Sequence, residues 1–167
     1  MNPPMDLPES RQVLAAEGWL GLGCPDEARA ELKHIPSPFR MHPEVLKVRW
    51  GIYAAEKKWN EALEVAGVLT EVQSGEAIGW VNRSFSLHEL KRTQEARANL
   101  LQVISRFPAD PIIPYNLACY ECQLGDMDQA RKWLEAAFRL GDRSRMKPMA
   151  LEDPDLRPLW AAIKSVK

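Results

Sequence analysis

The stretch GDMDQARKWLEAA, residues 125–137, has three earlier counterparts in the chain: GCPDEARAELKHI at 23–35, KKWNEALEVAGVL at 57–69 and KRTQEARANLLQV at 91–103. Their aligned alanines are Ala28, Ala62, Ala96 and Ala130, so the interval is 34 residues each time (62 − 28, 96 − 62 and 130 − 96). Glu27, Glu61, Glu95 and Gln129 stand just before them. Four residues after each alanine come Leu32, Ala66, Leu100 and Leu134, and three further on Ile35, Leu69, Val103 and Ala137. An i, i+4, i+7 spacing of apolar side chains places them on one stripe of a helix. The alanine column predicts a site where two helices approach too closely for anything larger.

A second helical segment precedes each block. Its small-residue column reads Ala16, Trp50, Ser84 and Ala118, with Trp50 the exception although Gly51 follows it. Three residues later stand Trp19, Tyr53, Leu87 and Glu121, apolar in the first three cases and acidic in the last, where Tyr120 comes one place early. Punctuation agrees with the period. Pro43 and Pro111 suit first turns, where a missing N–H costs nothing. Pro36, Pro38 and Pro108 stop the helices before them. Gly141 after Leu140 reads as a helix stop. Helices are predicted at about 9–21, 25–35, 43–56, 60–72, 76–90, 94–106, 111–123 and 128–140, and no strand pattern occurs.

A 34-residue unit of two helices with these columns resembles the tetratricopeptide repeat. The fullest match is the last repeat, where Tyr115-Asn116-Leu117-Ala118 leads to Gly125, Ala130 and Leu134; the third adds Trp80, Ala96 and Pro108. The resemblance implies an all-α, right-handed α-solenoid. Residues 1–8 form an N-terminal segment, 9–141 hold four tandem helix pairs (about 9–42, 43–76, 77–110 and 111–141), and 142–167 form a helical cap. A last repeat exposes an apolar face and needs such a cover. Asp142 and Ser144 can start one short helix, with Pro148 near its first turn or bending it. Asp153-Pro154 gives an N-cap followed by Pro, leading to the stripe Leu156, Leu159, Trp160 and Ile163.

Composition bounds the function. The 167 residues carry 22 Lys+Arg against 23 Asp+Glu, a net charge of −1, which excludes a general electrostatic grip on nucleic acid. No apolar run approaches the length of a membrane span, and the start Met1-Asn2-Pro3-Pro4-Met5-Asp6 lacks the basic and apolar regions of a secretory signal. Three cysteines suit a reducing cytoplasm, where we expect the protein to act without cofactor or metal. No phosphate loop or nucleophile elbow occurs. His88-Glu89-Leu90-Lys91-Arg92 misses the zinc-protease pattern, because Arg92 stands where a second His is needed. Cys119-Tyr120-Glu121-Cys122 lies mid-helix rather than at the helix N-terminus that activates redox pairs, and His88 would complete only three ligands. An enzyme is therefore not expected.

In the family resembled, the first helix of each repeat lines a concave groove that binds peptides. Its register here places Lys47, Asn82, Phe85, His88, Tyr115 and Asn116 on that groove. One version of the family clamps a peptide's C-terminal carboxylate. Lys47 and Asn82 occupy two of the clamp's places, while Gly51, Ile112 and Asn116 do not, so a weaker and more mixed site is implied. Phe85 and Tyr115 offer apolar contact, and Asn82 and Asn116 can donate to and accept from a peptide main chain. The expected function is a non-enzymatic protein- or peptide-binding module, an adaptor or co-chaperone-like scaffold. The alternative is a self-associating structural protein, with a homodimer as its simplest form.

Overall fold

A computed structural model describes residues 7–165. Residues 1–6 of the N-terminal segment read from the sequence lie outside it, and the segment's last two residues already belong to the first helix. Ten α-helices follow one another among the described residues: α1 (Leu7–Gly21), α2 (Pro25–Lys33), α3 (Pro43–Ala55), α4 (Trp59–Val72), α5 (Ile78–Glu89), α6 (Thr93–Leu101), α7 (Ile112–Leu124), α8 (Met127–Leu140), α9 (Arg143–Glu152) and α10 (Trp160–Ser165). Two 3₁₀ segments, Ser37–Phe39 and Pro154–Leu159, complete the order, and no strand occurs among the described residues. The chain divides into two compact units, Met1–Ser86 and Leu87–Lys167, with the division inside α5.

The 34-residue period is written into the backbone as well as the side chains. A left-handed residue ends the first helix of each pair: Gly23 (φ 75°), Lys57 (φ 56°), Lys91 (φ 63°) and Gly125 (φ 89°). At each one the N–H bonds back three residues, and the next N–H bonds back five. Gly23 donates to the Leu20 carbonyl at 2.9 Å and Cys24 to Trp19 at 2.9 Å; Gly125 donates to Cys122 at 3.2 Å and Asp126 to Glu121 at 2.9 Å. Lys57 and Lys58, and Lys91 and Arg92, repeat the pattern. This closure satisfies carbonyls that a helix end leaves open, and it demands positive φ, which glycine adopts without a Cβ clash. The two lysines adopt it at a cost of roughly 1–2 kcal/mol each, so tertiary packing overrides local preference there.

In the N-terminal unit α1 packs on α2, α3 on α4, and α3 also on α1 and α2. The core between α1, α2 and α3 is Val13, Ala16, Ala28, Ile35, Val45, Val48 and Ile52, edged by Leu20, Leu32 and Phe39. Gly79, in the first turn of α5, approaches the backbone of α4. A Cβ there would stand 2.9 Å from the Thr70 nitrogen, so only glycine fits without moving a helix.

In the C-terminal unit α7 packs on α6 and α8, and the Pro154–Leu159 segment lies against α7. α6 stops at Leu101 rather than near residue 106. The β-branched pair Val103-Ile104 follows, and the chain continues in turns, with Val103 donating to Leu100 at 3.1 Å and Arg106 to Val103 at 2.9 Å. Pro148 lies inside α9, and Asp142 caps that helix by accepting from the Ser144 N–H at 2.9 Å. Asp153 caps the next segment, accepting from the Asp155 N–H at 3.0 Å. That segment starts as 3₁₀ helix, because Pro158 has no N–H with which to close an α-turn onto Pro154. Leu156, Leu159 and Ile163 are buried, while Trp160 is half-buried and donates its indole N–H to the Ala150 carbonyl at 3.0 Å.

Ala28, Ala62, Ala96 and Ala130 are all fully buried. Ala96→Leu adds volume where none is free and is expected to cost roughly 1–3 kcal/mol. Thermal unfolding followed by circular dichroism checks this; an unchanged midpoint would show that the site has room.

Candidate functional site

The sequence register selects six side chains, and the structure treats them differently. In the N-terminal unit, Pro43 opens α3 and sets its first turn, so that Glu44 and Lys47 follow one turn apart. The Lys47 ammonium bonds to Glu44 Oε1 at 2.9 Å and to Glu76 Oε2 at 3.4 Å. Burial disfavours its charge, but the two carboxylates outweigh that and hold it above the ordinary lysine range. Lys47 is thus already partnered, which weakens it as an anchor for a peptide carboxylate.

Asn82 is only 4% exposed, and its backbone carbonyl accepts from the Ser86 hydroxyl at 2.9 Å. Ser86 in turn accepts the Trp50 indole N–H at 3.0 Å. The tryptophan that breaks the small-residue column therefore has a fixed place. Phe85 stands edge-on to Trp50 (ring centroids 6.2 Å, 76°) and to Trp59 (5.7 Å, 62°) and remains 37% exposed. Edge-to-face pairs of this kind add roughly 0.5–1.5 kcal/mol beyond area burial and fix the ring's orientation. The result is a rigid aromatic surface, half open to solvent.

In the C-terminal unit the groove-facing side of α7 is covered by the chain itself. The Tyr115 hydroxyl donates to Asp153 Oδ2 at 2.9 Å, and the Cys119 thiol reaches the same oxygen at 3.5 Å. Gln123 donates to the Asp155 carbonyl at 3.3 Å. His88 spans Thr93 Oγ1 at 3.0 Å and Asp155 Oδ2 at 2.9 Å, with its ring tilted against Tyr120 at 4.9 Å. Tyr115 is 5% exposed, His88 is buried and Asn116 half-buried. His88, Tyr115, Cys119 and Gln123 all bond to Asp153 or Asp155, so Asp153-Pro154-Asp155 lies across the face that the register gives to His88 and Tyr115. Sequence reading missed the two aspartates as its occupants. The available signal was a Pro flanked by two carboxylates in a segment already assigned to cover the last repeat.

The chemistry of this face is quiet. Burial pushes the Cys119 thiol well up, helped by Asp153 and Asp155, and pushes Cys122 up to about 11. Burial likewise raises the Tyr115 hydroxyl, with Cys119 and Asp153 adding to it. Both cysteines are protonated thiols near neutral pH, so neither is an activated nucleophile or a ready thiolate ligand. Among the described residues, no group of three or more His, Cys, Asp and Glu side chains is arranged to hold a metal ion.

Comparison with known proteins agrees with the architecture. No family profile matches the sequence, and no curated protein matches it either. Two solved structures of MamA are similar in fold. One, described as MamA MSR-1 C2, has a TM-score of 0.63 at 17% identity, covering 84% of this chain and 79% of that one. The other, a crystal structure of MamA, has a TM-score of 0.66 at 13% identity, covering 83% and 81%. No helix among the described residues is long and apolar enough to cross a membrane. The likeness shows the fold: an all-α solenoid of the tetratricopeptide-like helical-repeat type.

Proposed function

We propose that this chain is a non-catalytic protein-binding module, an adaptor or co-chaperone-like scaffold of the cytoplasm that works without a cofactor. The observation that carries this reading is the Phe85 surface. A large aromatic ring is held by two tryptophans and left more than a third exposed, at a place the repeat register assigns to the groove. Rigid aromatic anchors of this kind dominate the energetics of protein interfaces. Lys47 stands at a further groove place in the same unit and adds polar contact. The Asn82 backbone carbonyl supports the surface from below through the Ser86–Trp50 chain of hydrogen bonds, while its side chain is buried. His88 and Tyr115 hold the Asp153–Asp155 segment and are not counted among the partner contacts.

The test begins with a partner recovered by affinity capture on the whole chain. Phe85→Ala is expected to weaken its binding by about 1–3 kcal/mol. Melting of the variant is recorded alongside, because Phe85 also packs on Trp50 and Trp59. Binding as tight as the parent's, with the fold retained, removes Phe85 from the interface. A dimer seen by light scattering that dissolves in Phe85→Ala would make the partner a second copy of the chain.

A further inference from the structure

We infer that a second docking surface, the groove between α8 and α10 in the C-terminal unit, takes an acidic amphipathic helix of a partner protein. The groove has a volume of about 360 Å³. Its base is apolar: Leu134, Leu159 and Ile163 are buried beneath it, and half-buried Phe138 of α8 and exposed Ala162 of α10 give the open apolar surface. Its rim is basic, with the guanidinium groups of Arg131, Arg139 and Arg143 against one carboxylate, Glu135.

The charge on that rim is not consumed by the fold. Arg131 pairs with Asp128 at 3.2 Å, but Arg139 and Arg143 have no ion-pair partner among the described residues. Arg143 is moreover the first residue of α9. A cation at a helix N-terminus opposes the helix dipole, so helix stability does not call for arginine there. Its guanidinium lies 5.6 Å from the centre of the Phe138 ring. Stacking of this kind fixes the cation beside the apolar floor and leaves its in-plane N–H donors able to meet a carboxylate by a bidentate bond.

The shape selects a helix. The α8 residues that line the groove run from Arg131 to Arg139 with one-turn spacing, a length of about 12 Å, or two turns. Rows at i, i+3, i+4 and i+7 are what an amphipathic helix offers to a groove between two others. The floor carries no polar side chain to bond a peptide main chain, which an extended segment would require. A helix satisfies its own backbone and needs only an apolar stripe flanked by carboxylates.

Two synthetic helical peptides of about 18 residues test this, each with the same leucine stripe. One has Glu on the flanks and the other Lys. Binding to the full chain is read by fluorescence anisotropy at low and high salt. The acidic peptide should bind, and its affinity should fall as salt rises. The double variant Arg139→Glu/Arg143→Glu should lose at least about tenfold in affinity while keeping the parent's melting curve, since both side chains are exposed. If that variant misfolds, Arg139→Gln/Arg143→Gln replaces it. Phe85→Ala should leave the acidic peptide's affinity unchanged. The inference fails if neither peptide binds, if both bind alike, or if the arginine variants fold and bind as the parent does. It also fails if Phe85→Ala, rather than the arginine pair, abolishes binding, because the peptide would then occupy the surface already described.

Discussion

A chain ending at residue 152 is expected to aggregate or unfold. Leu156, Leu159 and Ile163 are buried against the C-terminal unit, and side chains of this size each contribute roughly 1.5–3 kcal/mol when fully buried. Three of them together approach the total stability of a small domain, roughly 5–15 kcal/mol. The polar loss adds to this. Tyr115, Cys119, His88 and Gln123 lose their partners on Asp153 and Asp155 at the same moment. Gel filtration and a circular dichroism melt check the outcome, and a soluble truncation with native helicity and an unchanged midpoint would overturn it. The single substitution Leu156→Ala keeps the chain intact and should still cost about 2–5 kcal/mol, because that side chain is completely enclosed.

The fold was legible because its decisive signals are local and repeated. The Ala28, Ala62, Ala96 and Ala130 column fixes the period, and the backbone shows the same interval at Gly23, Lys57, Lys91 and Gly125. Only half of that second series could be read beforehand. Glycine announces a left-handed residue, whereas Lys57 and Lys91 are driven into it by the packing of the helices on either side. The end of α6 was misplaced for a related reason: an apolar stripe runs on through Val103, but the backbone beneath it has already tightened into turns.

The site was less legible because its contacts are long-range. Helical register places His88 and Tyr115 at groove positions, and both side chains bond to one distant segment. Periodicity carries no information about a segment 67 residues from His88 in sequence, and Asp155 is that distance away. Tyr115 looks like an open aromatic anchor in the sequence. In the fold its hydroxyl is committed to Asp153, 38 residues on. Phe85 escapes this cover, and of its two aromatic neighbours Trp50 is visible in the sequence only as a departure from a repeat column.

Glu121 is a departure of the same kind, and its partner makes the second large prediction. It stands where earlier repeats carry Trp19, Tyr53 and Leu87, and it is only 2% exposed. The compensation comes from the neighbouring helix, where Arg97 Nε donates to Glu121 Oε1 at 2.6 Å. Arg97→Ala leaves a carboxylate buried without its cation. Breaking a fully buried pair in this way costs about 3–5 kcal/mol. The Arg97 side chain is 40% exposed, so water reaches the vacated place and reduces the loss to about 2–3 kcal/mol. Urea unfolding measures it directly, and a loss below about 1 kcal/mol would mean that the pair is a surface contact in energetic terms. The double substitution Arg97→Met/Glu121→Leu removes both charges and restores the apolar column of the first three repeats. It should recover most of the stability, because a buried ion pair gains little over well-packed apolar side chains of similar volume.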